Sequence, residues 1–174
     1  GVRAAGPHVL YLNFDGALIR RQATCSSSSE LCSYLVKCEN GMAQVPPFGG
    51  SPLERSGIVA LVRRYYAPFH IEIVDTKPSR VPYTMCMVGG QPNDICIEGR
   101  VGGVAPLDCE DRNGDSDLVF AFASAVRNDP HLTAVTIAQE SAHSYGLEHT
   151  SLLTDIMYPY LSGVEQGFLD TEMT

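Results

Sequence analysis

The sequence has no apolar run that approaches the ~20 residues of a membrane-spanning helix, so an integral membrane protein is not expected. Basic residues are few: 12 Lys and Arg stand against 20 Asp and Glu, which gives a net charge of -8. That balance disfavours nucleic acid and anionic membrane surfaces as partners. Internal repeats and interdomain linkers are also missing, so we expect the 174 residues to form one domain with a substantial core.

The cysteines include no C-x-x-C pair, the spacing typical of a cysteine zinc knuckle. Their even number favours disulfides, and therefore a secreted, extracellular or periplasmic protein, over the alternative of reduced buried thiols. Cys86 and Cys96 flank a loop and could close a hairpin, while one of the three earlier cysteines could reach Cys109. The candidate disulfide cysteines are Cys25, Cys32, Cys38, Cys86, Cys96 and Cys109.

The first of two helices is marked by its N-terminal signals. Ser51 can act as N-cap, Pro52 suits the first helical position, and Glu54 can complete a capping box. Apolar residues then recur at helical spacing until Pro68 ends the run.

The second helix opens with Asp129 as N-cap and Pro130 at its first position. It is expected to run to about Tyr145, where Gly146 can adopt the left-handed conformation that ends a helix.

The rest of the chain is expected to supply strands and loops. Residues 22–51 have the composition of a loop, with a short helical possibility around 31–36, and 117–126 is ambiguous between strand and helix. Buried or alternating apolar stretches predict strands at 8–16, 69–75 and 83–90. The fold class predicted from these elements is α/β, of the α+β kind.

The stretch "QESAHSYGLEH", residues 139–149, falls at the end of the second helix. Gln139 and His143 are i and i+4, so both side chains project from one face and can reach one metal ion. Gly146 allows the chain to leave the helix and bring in His149. Glu140 can reach a water molecule at that metal and act as general base.

With His in its first position this stretch would read H-E-x-x-H-x-x-G-x-x-H, and it resembles the active-site motif of the metzincin clan of zinc metallopeptidases. "TSLLTDIMYPY" strengthens the resemblance, since Met157 follows His149 by eight residues and is itself followed by Tyr158 and Pro159. This segment is similar to the Met-turn of the clan, and the "IMYP" spacing is closest to the matrixin type. The specific resemblance covers residues 139–160.

The resemblance implies a metzincin-like fold with a twisted mixed sheet, a backing helix and an active-site helix. It divides a single catalytic domain, 1–174, into an N-terminal subdomain, 1–146, and a small C-terminal subdomain, 147–174. It also implies that Met157 supports the base of the metal site and that the segment after it forms the S1′ wall.

Gln139 departs from the clan's pattern, because an amide oxygen is a neutral and weaker ligand than an imidazole. Zinc is the expected metal, although copper or another divalent ion could compensate for the weaker ligand. Some sequences of the gametolysin type also carry Q-E-x-x-H at this place, so Gln139 is compatible with an active enzyme. The alternatives are a catalytically inactive relative and an engineered inactive variant.

The aromatic residues after the Met-turn depart from the pattern as well. Relatives place a functional Tyr either two residues after the Met or two residues after the Pro, and here these positions hold Pro159 and Leu161. Tyr158, Pro159 and Tyr160 are therefore candidates for an oxyanion donor or S1′ wall, with ordinary packing as the alternative.

The loop "EDRNGDSD" offers oxygen ligands that alternate around a glycine, a pattern that suits calcium. Matrixin-like domains often carry structural calcium, but the spacing lacks the final Glu of an EF-hand, and a solvated acidic turn is the alternative. The candidate calcium ligands are Asp111, Asn113, Asp115 and Asp117.

The sequence thus predicts a secreted, monomeric metalloendopeptidase that cleaves protein or peptide substrates through a metal-activated water. The metal ligands would be Gln139, His143 and His149, with Glu140 as the catalytic general base. The alternative is an inactive scaffold that binds peptides or matrix through the same cleft.

Overall fold

A computed structural model describes residues 6–108, 113 and 116–169 of the chain. In this part of the chain two sheets and two α-helices form a mixed α/β arrangement, which confirms the coarse fold class. The strands are β1 (His8–Asn13), β2 (Ala17–Arg21), β3 (Ser26–Ser27), β4 (Cys32–Ser33), β5 (Met42–Val45), β6 (Ile71–Val74), β7 (Thr84–Val88), β8 (Gly103–Val104) and β9 (Leu118–Ala121). The helices are α1 (Pro52–Tyr66) and α2 (Pro130–Ser144), with 3₁₀ turns at Pro92–Ile95 and Ala123–Val126.

The main sheet has the strand order β6-β1-β7-β9-β8. Its pairs are parallel except for β8, which lies antiparallel to β9 at one edge. The central strands β1, β7 and β9 are almost wholly buried, as expected for parallel strands covered on both faces.

The two faces of the main sheet pack against different layers. Leu10 and Leu12 of β1 point to the side covered by α1 and α2, where they join the helix residues in one buried cluster. The alternate residues Val9 and Tyr11 join a second cluster with Ile19 and other residues of the small sheet. The period of two along β1 therefore separates a helix layer from a small-sheet layer.

The small sheet has the order β3-β4-β2-β5 and corrects the prediction of a loop over 22–51. The predicted helical possibility around 31–36 is also wrong, because Cys32–Ser33 is a strand paired with β2 and β3. β3 and β4 have two residues each, too few for an alternating pattern to show in the sequence.

Two disulfides form, Cys25–Cys32 and Cys38–Cys96, which confirms the prediction of disulfide bonding. The suggested Cys86–Cys96 bridge is wrong, and so is a bridge from one of the three earlier cysteines to Cys109. Cys86 is a buried free thiol that points to the helix layer, whereas Cys38 belongs to the small-sheet layer. Cys109 itself lies outside the described residues.

Helix α1 begins as its sequence predicts. The Ser51 Oγ accepts from the Glu54 amide at 3.2 Å, and the Glu54 carboxylate accepts from the Ser51 amide at 2.6 Å. This reciprocal pair satisfies two amides that the helix leaves free. The last helical residue is Tyr66, whose hydroxyl contacts Ala138 O at 2.9 Å and Ser141 Oγ at 2.7 Å and so ties α1 to α2.

Helix α2 also has the predicted ends. The Asp129 carboxylate accepts from the Leu132 amide at 2.8 Å, and Gly146 has φ +91° just beyond the last turn. The amide of Leu147 donates to Ala142 O and that of Gly146 to His143 O, both at 3.0 Å. This pair of bonds is the Schellman arrangement, which turns the chain sharply away from the helix axis.

Asp155 organises the chain after Gly146. Its carboxylate accepts from the amides of Met157 at 2.6 Å and Leu169 at 2.8 Å, and its backbone forms a bridge to Gly167. Ile156 and Met157 are buried in the same cluster as the helices. Among the described residues, no helix is long and apolar enough to cross a membrane.

Candidate active site

A cleft of about 980 Å³ runs along helix α2 on the side of edge strand β8. Its walls come from the loop 91–93, the segment 99–103, the turn 124–127 and the segment 159–161. Gln139, Glu140, His143 and His149 all line this cleft, so the structure brings together the four residues that the motif singled out.

The two histidines meet through their Nε2 atoms, which lie 3.2 Å apart. The Nδ1 of His143 lies 2.7 Å from the carbonyl oxygen of Leu147. Since that oxygen can only accept, Nδ1 carries the proton, and in the neutral ring Nε2 is left with its lone pair toward His149. Burial lowers the pKa of His143, while the bond to Leu147 opposes this shift and the nearby His149 adds to it.

Gln139 is nearly buried, and its Nε2 donates to the carbonyl oxygen of Tyr158 at 2.6 Å. An amide has one donor end and one acceptor end. With Nε2 engaged on Tyr158, Oε1 is the atom that remains for a ligand in the cleft. The bond also joins α2 directly to the segment that follows Met157.

Glu140 is nearly buried beside β8, and burial raises its pKa to about 8. The close approach depends on Gly103, because a Cβ there would stand 2.5 Å from Glu140 Cγ and 2.5 Å from Phe120 O. The sequence motif gives no sign of this neighbour, since Gly103 lies 37 residues earlier in an unremarkable glycine-rich stretch.

Met157 is buried within the cluster that also holds Ala138 and Ala142 of helix α2. Its carbonyl oxygen accepts from the amide of Thr150 at 3.0 Å, which ties the turn to the segment just after His149. The turn is thus fixed to helix α2 on one side and to Thr150, the residue after His149, on the other.

The three candidates after Met157 differ in whether they line the cleft. Pro159 and Tyr160 line the cleft together with Leu161, whereas Tyr158 is half-buried and does not line it. Tyr160 is 73% exposed and its ring meets that of Tyr158 edge-on at 6.1 Å. The cleft-lining residues thus fit a wall, and an oxyanion donor stays a prediction.

The calcium candidates are only partly described, because Asp111 and Asp115 lie outside the described residues. Asn113 Nδ2 donates to the carboxylate of Asp117 at 2.7 Å and to the carbonyl oxygen of Ser26. Asn113 therefore ties its loop to β3, and calcium binding stays a prediction.

The spacing of the two histidines fits two ligands of one divalent cation. Two zinc ligands at ~2.0–2.1 Å and a tetrahedral angle lie roughly 3.3–3.4 Å apart, close to the 3.2 Å between the two Nε2 atoms. The bond from His143 Nδ1 to Leu147 O is the outer contact that orients a ligating imidazole. Elsewhere in the described chain, one group of metal-binding residue types converges, at Cys25, Glu30 and Cys32. Its two sulfur atoms are joined in a disulfide and do not offer thiolates.

No protein-family model matches this chain, and no curated protein matches it significantly.

Proposed function

We propose that this protein is a secreted metal-dependent endopeptidase of the metzincin type. The observation that carries the proposal is the convergence of His143 Nε2 and His149 Nε2 at 3.2 Å, beside Gln139 and Glu140, in one open cleft. Such a group of nitrogen and oxygen donors at a cleft wall is typical of a catalytic metal site that leaves room for substrate.

The residues that would hold the metal are Gln139 through Oε1 and the two histidines through Nε2. When bound, zinc, copper or another divalent ion would polarise the scissile carbonyl and lower the pKa of a water molecule. Three protein ligands leave a position open for these groups.

Glu140 would move the proton. It lines the same cleft as the histidines, and a pKa of about 8 suits a group that first accepts a proton from water and then donates it to the leaving amine. Gly103 keeps β8 close enough to shield Glu140 from bulk water. Met157 would support the site from the core, and Pro159, Tyr160 and Leu161 would wall the cleft on the far side.

The fold supports the same proposal. A mainly parallel sheet with α1 and α2 on one face is compatible with the backing helix and active-site helix of the clan, and the chain after Gly146 would be its small C-terminal subdomain. The two disulfides suit an oxidising, extracellular or periplasmic compartment. Protein or peptide substrates would lie extended in the cleft, and we expect a monomer.

One observation favours a second function, a binding module without catalysis. Gln139 Nε2 is held by Tyr158 O at 2.6 Å, so the amide already has a structural role that needs no metal. In that case the cleft would bind peptides or matrix without cleaving them.

The test is elemental analysis of the purified protein together with chelator-sensitive cleavage of casein. We expect stoichiometric metal and cleavage, both lost on chelation. Glu140→Gln should keep the metal and the fold but lose turnover, which separates proton transfer from metal binding. Gln139→His serves as the comparison, because it restores a stronger ligand at the same position.

An inert, metal-free protein that gains metal and activity only as Gln139→His would contradict the proposal and support the binding module. Loss of metal or of folding in Glu140→Gln would contradict the role given to Glu140.

A further inference from the structure

The charges around the cleft differ from those of the protein as a whole. The chain has a net charge of -8, yet the charged residues that line the cleft away from the histidines are two arginines, Arg100 and Arg127. The lone lining carboxyl group among the described residues is Glu140, whose raised pKa belongs to the site already described. The cleft lining away from the histidines therefore carries positive charge, although the protein as a whole is acidic.

The segment that carries Arg100 passes beside helix α2. Gly103 faces Glu140, and Gly102, one residue earlier, faces Thr136, one helical turn further from the histidines. Thr136 precedes His143 by seven residues, roughly 10 Å along the helix at about 1.5 Å per residue.

Arg127 lines the same cleft from a neighbouring segment. The amide of Phe122 donates to Gly102 O at 2.7 Å, which sets the turn Ala123–Val126 beside the segment that carries Arg100. Arg127 ends this turn with φ +58° and lies three residues before Pro130, the first residue of α2. The two arginines thus lie on adjoining segments of one cleft lining.

Neither arginine is neutralised by the protein. Within the described part of the chain, neither side chain forms a hydrogen bond or an ion pair, although Arg55 and other residues do. The neighbouring acids are not among the lining residues: Asp129 accepts from the Leu132 amide, Asp94 accepts from the Gln91 amide, and Glu98 is exposed. Two exposed arginines that line one cleft and have no partner among the described residues suit a carboxylate brought by a ligand.

We propose that Arg100 and Arg127 determine specificity in this cleft, by selecting an extended peptide with an acidic side chain a few residues from the scissile bond. This inference rests on the proposed peptidase function, because only cleavage defines a scissile bond, and it names the substrate class of that site. Binding of the acidic peptide depends on the arginines and not on turnover.

The experiment measures peptide binding to the Glu140→Gln protein by fluorescence anisotropy, so that cleavage does not interfere. A short, otherwise uncharged peptide carries a single glutamate at each position in turn, and a matched set carries glutamine. The variants are Arg100→Gln and Arg127→Gln, alone and combined. Arg80→Gln is the control, since it removes the same charge from an exposed residue outside the cleft.

We expect at least one glutamate peptide to bind about five- to tenfold more tightly than its glutamine partner, the size expected for partly exposed ion pairs. High salt and either cleft substitution should reduce that preference, the double substitution should abolish it, and Arg80→Gln should retain it. Equal binding of the two sets, no binding of any glutamate peptide, or a preference that survives the double substitution would overturn the inference.

Different results would contradict the specificity proposal and the peptidase proposal. Cleavage of casein without a preference for acidic peptides would remove the specificity proposal and leave the peptidase. An acidic preference in a protein that holds no metal and cleaves nothing would leave the arginines in place and remove the peptidase.

Discussion

The Nε2 atoms of His143 and His149 lie 3.2 Å apart although the two residues occupy different segments, one in helix α2 and one beyond its end. A continuing helix would place position 149 more than a turn further along the axis. Gly146, with φ +91°, makes the reversal that closes this distance. The geometry of the candidate metal site thus depends on a backbone conformation as much as on its ligands.

Gly146→Ala should therefore weaken both the fold and metal binding. A side chain at φ +91° is strained, so we expect a loss of about 1 kcal/mol in the free energy of unfolding. Metal affinity should fall further, because the strain is relieved by moving His149. Urea unfolding and metal titration measure the two effects.

The control is Gly57→Ala within α1, where φ is ordinary and a Cβ would meet nothing within 4 Å. That substitution should raise stability, by up to about 1 kcal/mol, because alanine favours the helix. Unchanged metal affinity in Gly146→Ala would contradict the link between the turn and the site.

Gly103→Ala tests the close approach of β8 to the cleft. A Cβ there would stand 2.5 Å from both Glu140 Cγ and Phe120 O, and the second of these is backbone that has little room to yield. We expect a cost of about 1–3 kcal/mol from overpacking, and a displaced Glu140 that lowers turnover while metal stays bound. Thermal unfolding and casein cleavage measure these effects.

Gly167→Ala is the matched control, since its Cβ would meet nothing within 4 Å. Full activity and stability in Gly103→Ala would show that the segment moves freely and does not position Glu140.

The helices could be predicted from the sequence because their signals are local. Ser51, Glu54, Asp129 and Gly146 each act on backbone groups a few residues away, so the pattern and its consequence lie in the same window. Strands β3 and β4 of the small sheet could not, because two residues are too few to show an alternating pattern.

The candidate site could likewise be predicted only in part from the sequence. The motif predicted four lining residues that share one turn of helix and its exit. It could not show Gly103, nor the carbonyl oxygens of Leu147 and Tyr158 that orient His143 and Gln139, because backbone atoms belong to every residue alike. The predicted bridge between Cys86 and Cys96 is wrong because strand alternation turns the Cys86 side chain to the helix layer.

Cys86 should resist alkylation in the native protein. It is fully buried, and burial, with the Glu140 charge adding to it, raises the thiol pKa well above its usual range. The thiolate is the reactive form, so modification should follow unfolding only. Mass spectrometry of the peptide that contains Cys86, after iodoacetamide treatment with and without denaturant, measures this.

Rapid modification of Cys86 in the native state would contradict its burial. Failure to label in denaturant until a reductant is added would show that the thiol is in a disulfide.

Stability of the metal-free protein should fall as the pH rises from about 4.5 to 8, through the contribution of Glu140. Burial raises the pKa of this carboxyl from 4.5 to about 8, so the folded state binds its proton more tightly than the unfolded state. The contribution is fully present below pH 4.5 and is lost as the pH approaches the folded value.

His143 acts in the opposite direction, because its lowered pKa makes the folded state bind its proton less tightly. The difference between the parent protein and Glu140→Gln isolates the carboxyl from His143. Urea unfolding in a chelator across this pH range should show that difference change steadily in favour of Glu140→Gln, and a difference that does not vary with pH would mean that Glu140 is solvated and does not pack against β8 in solution.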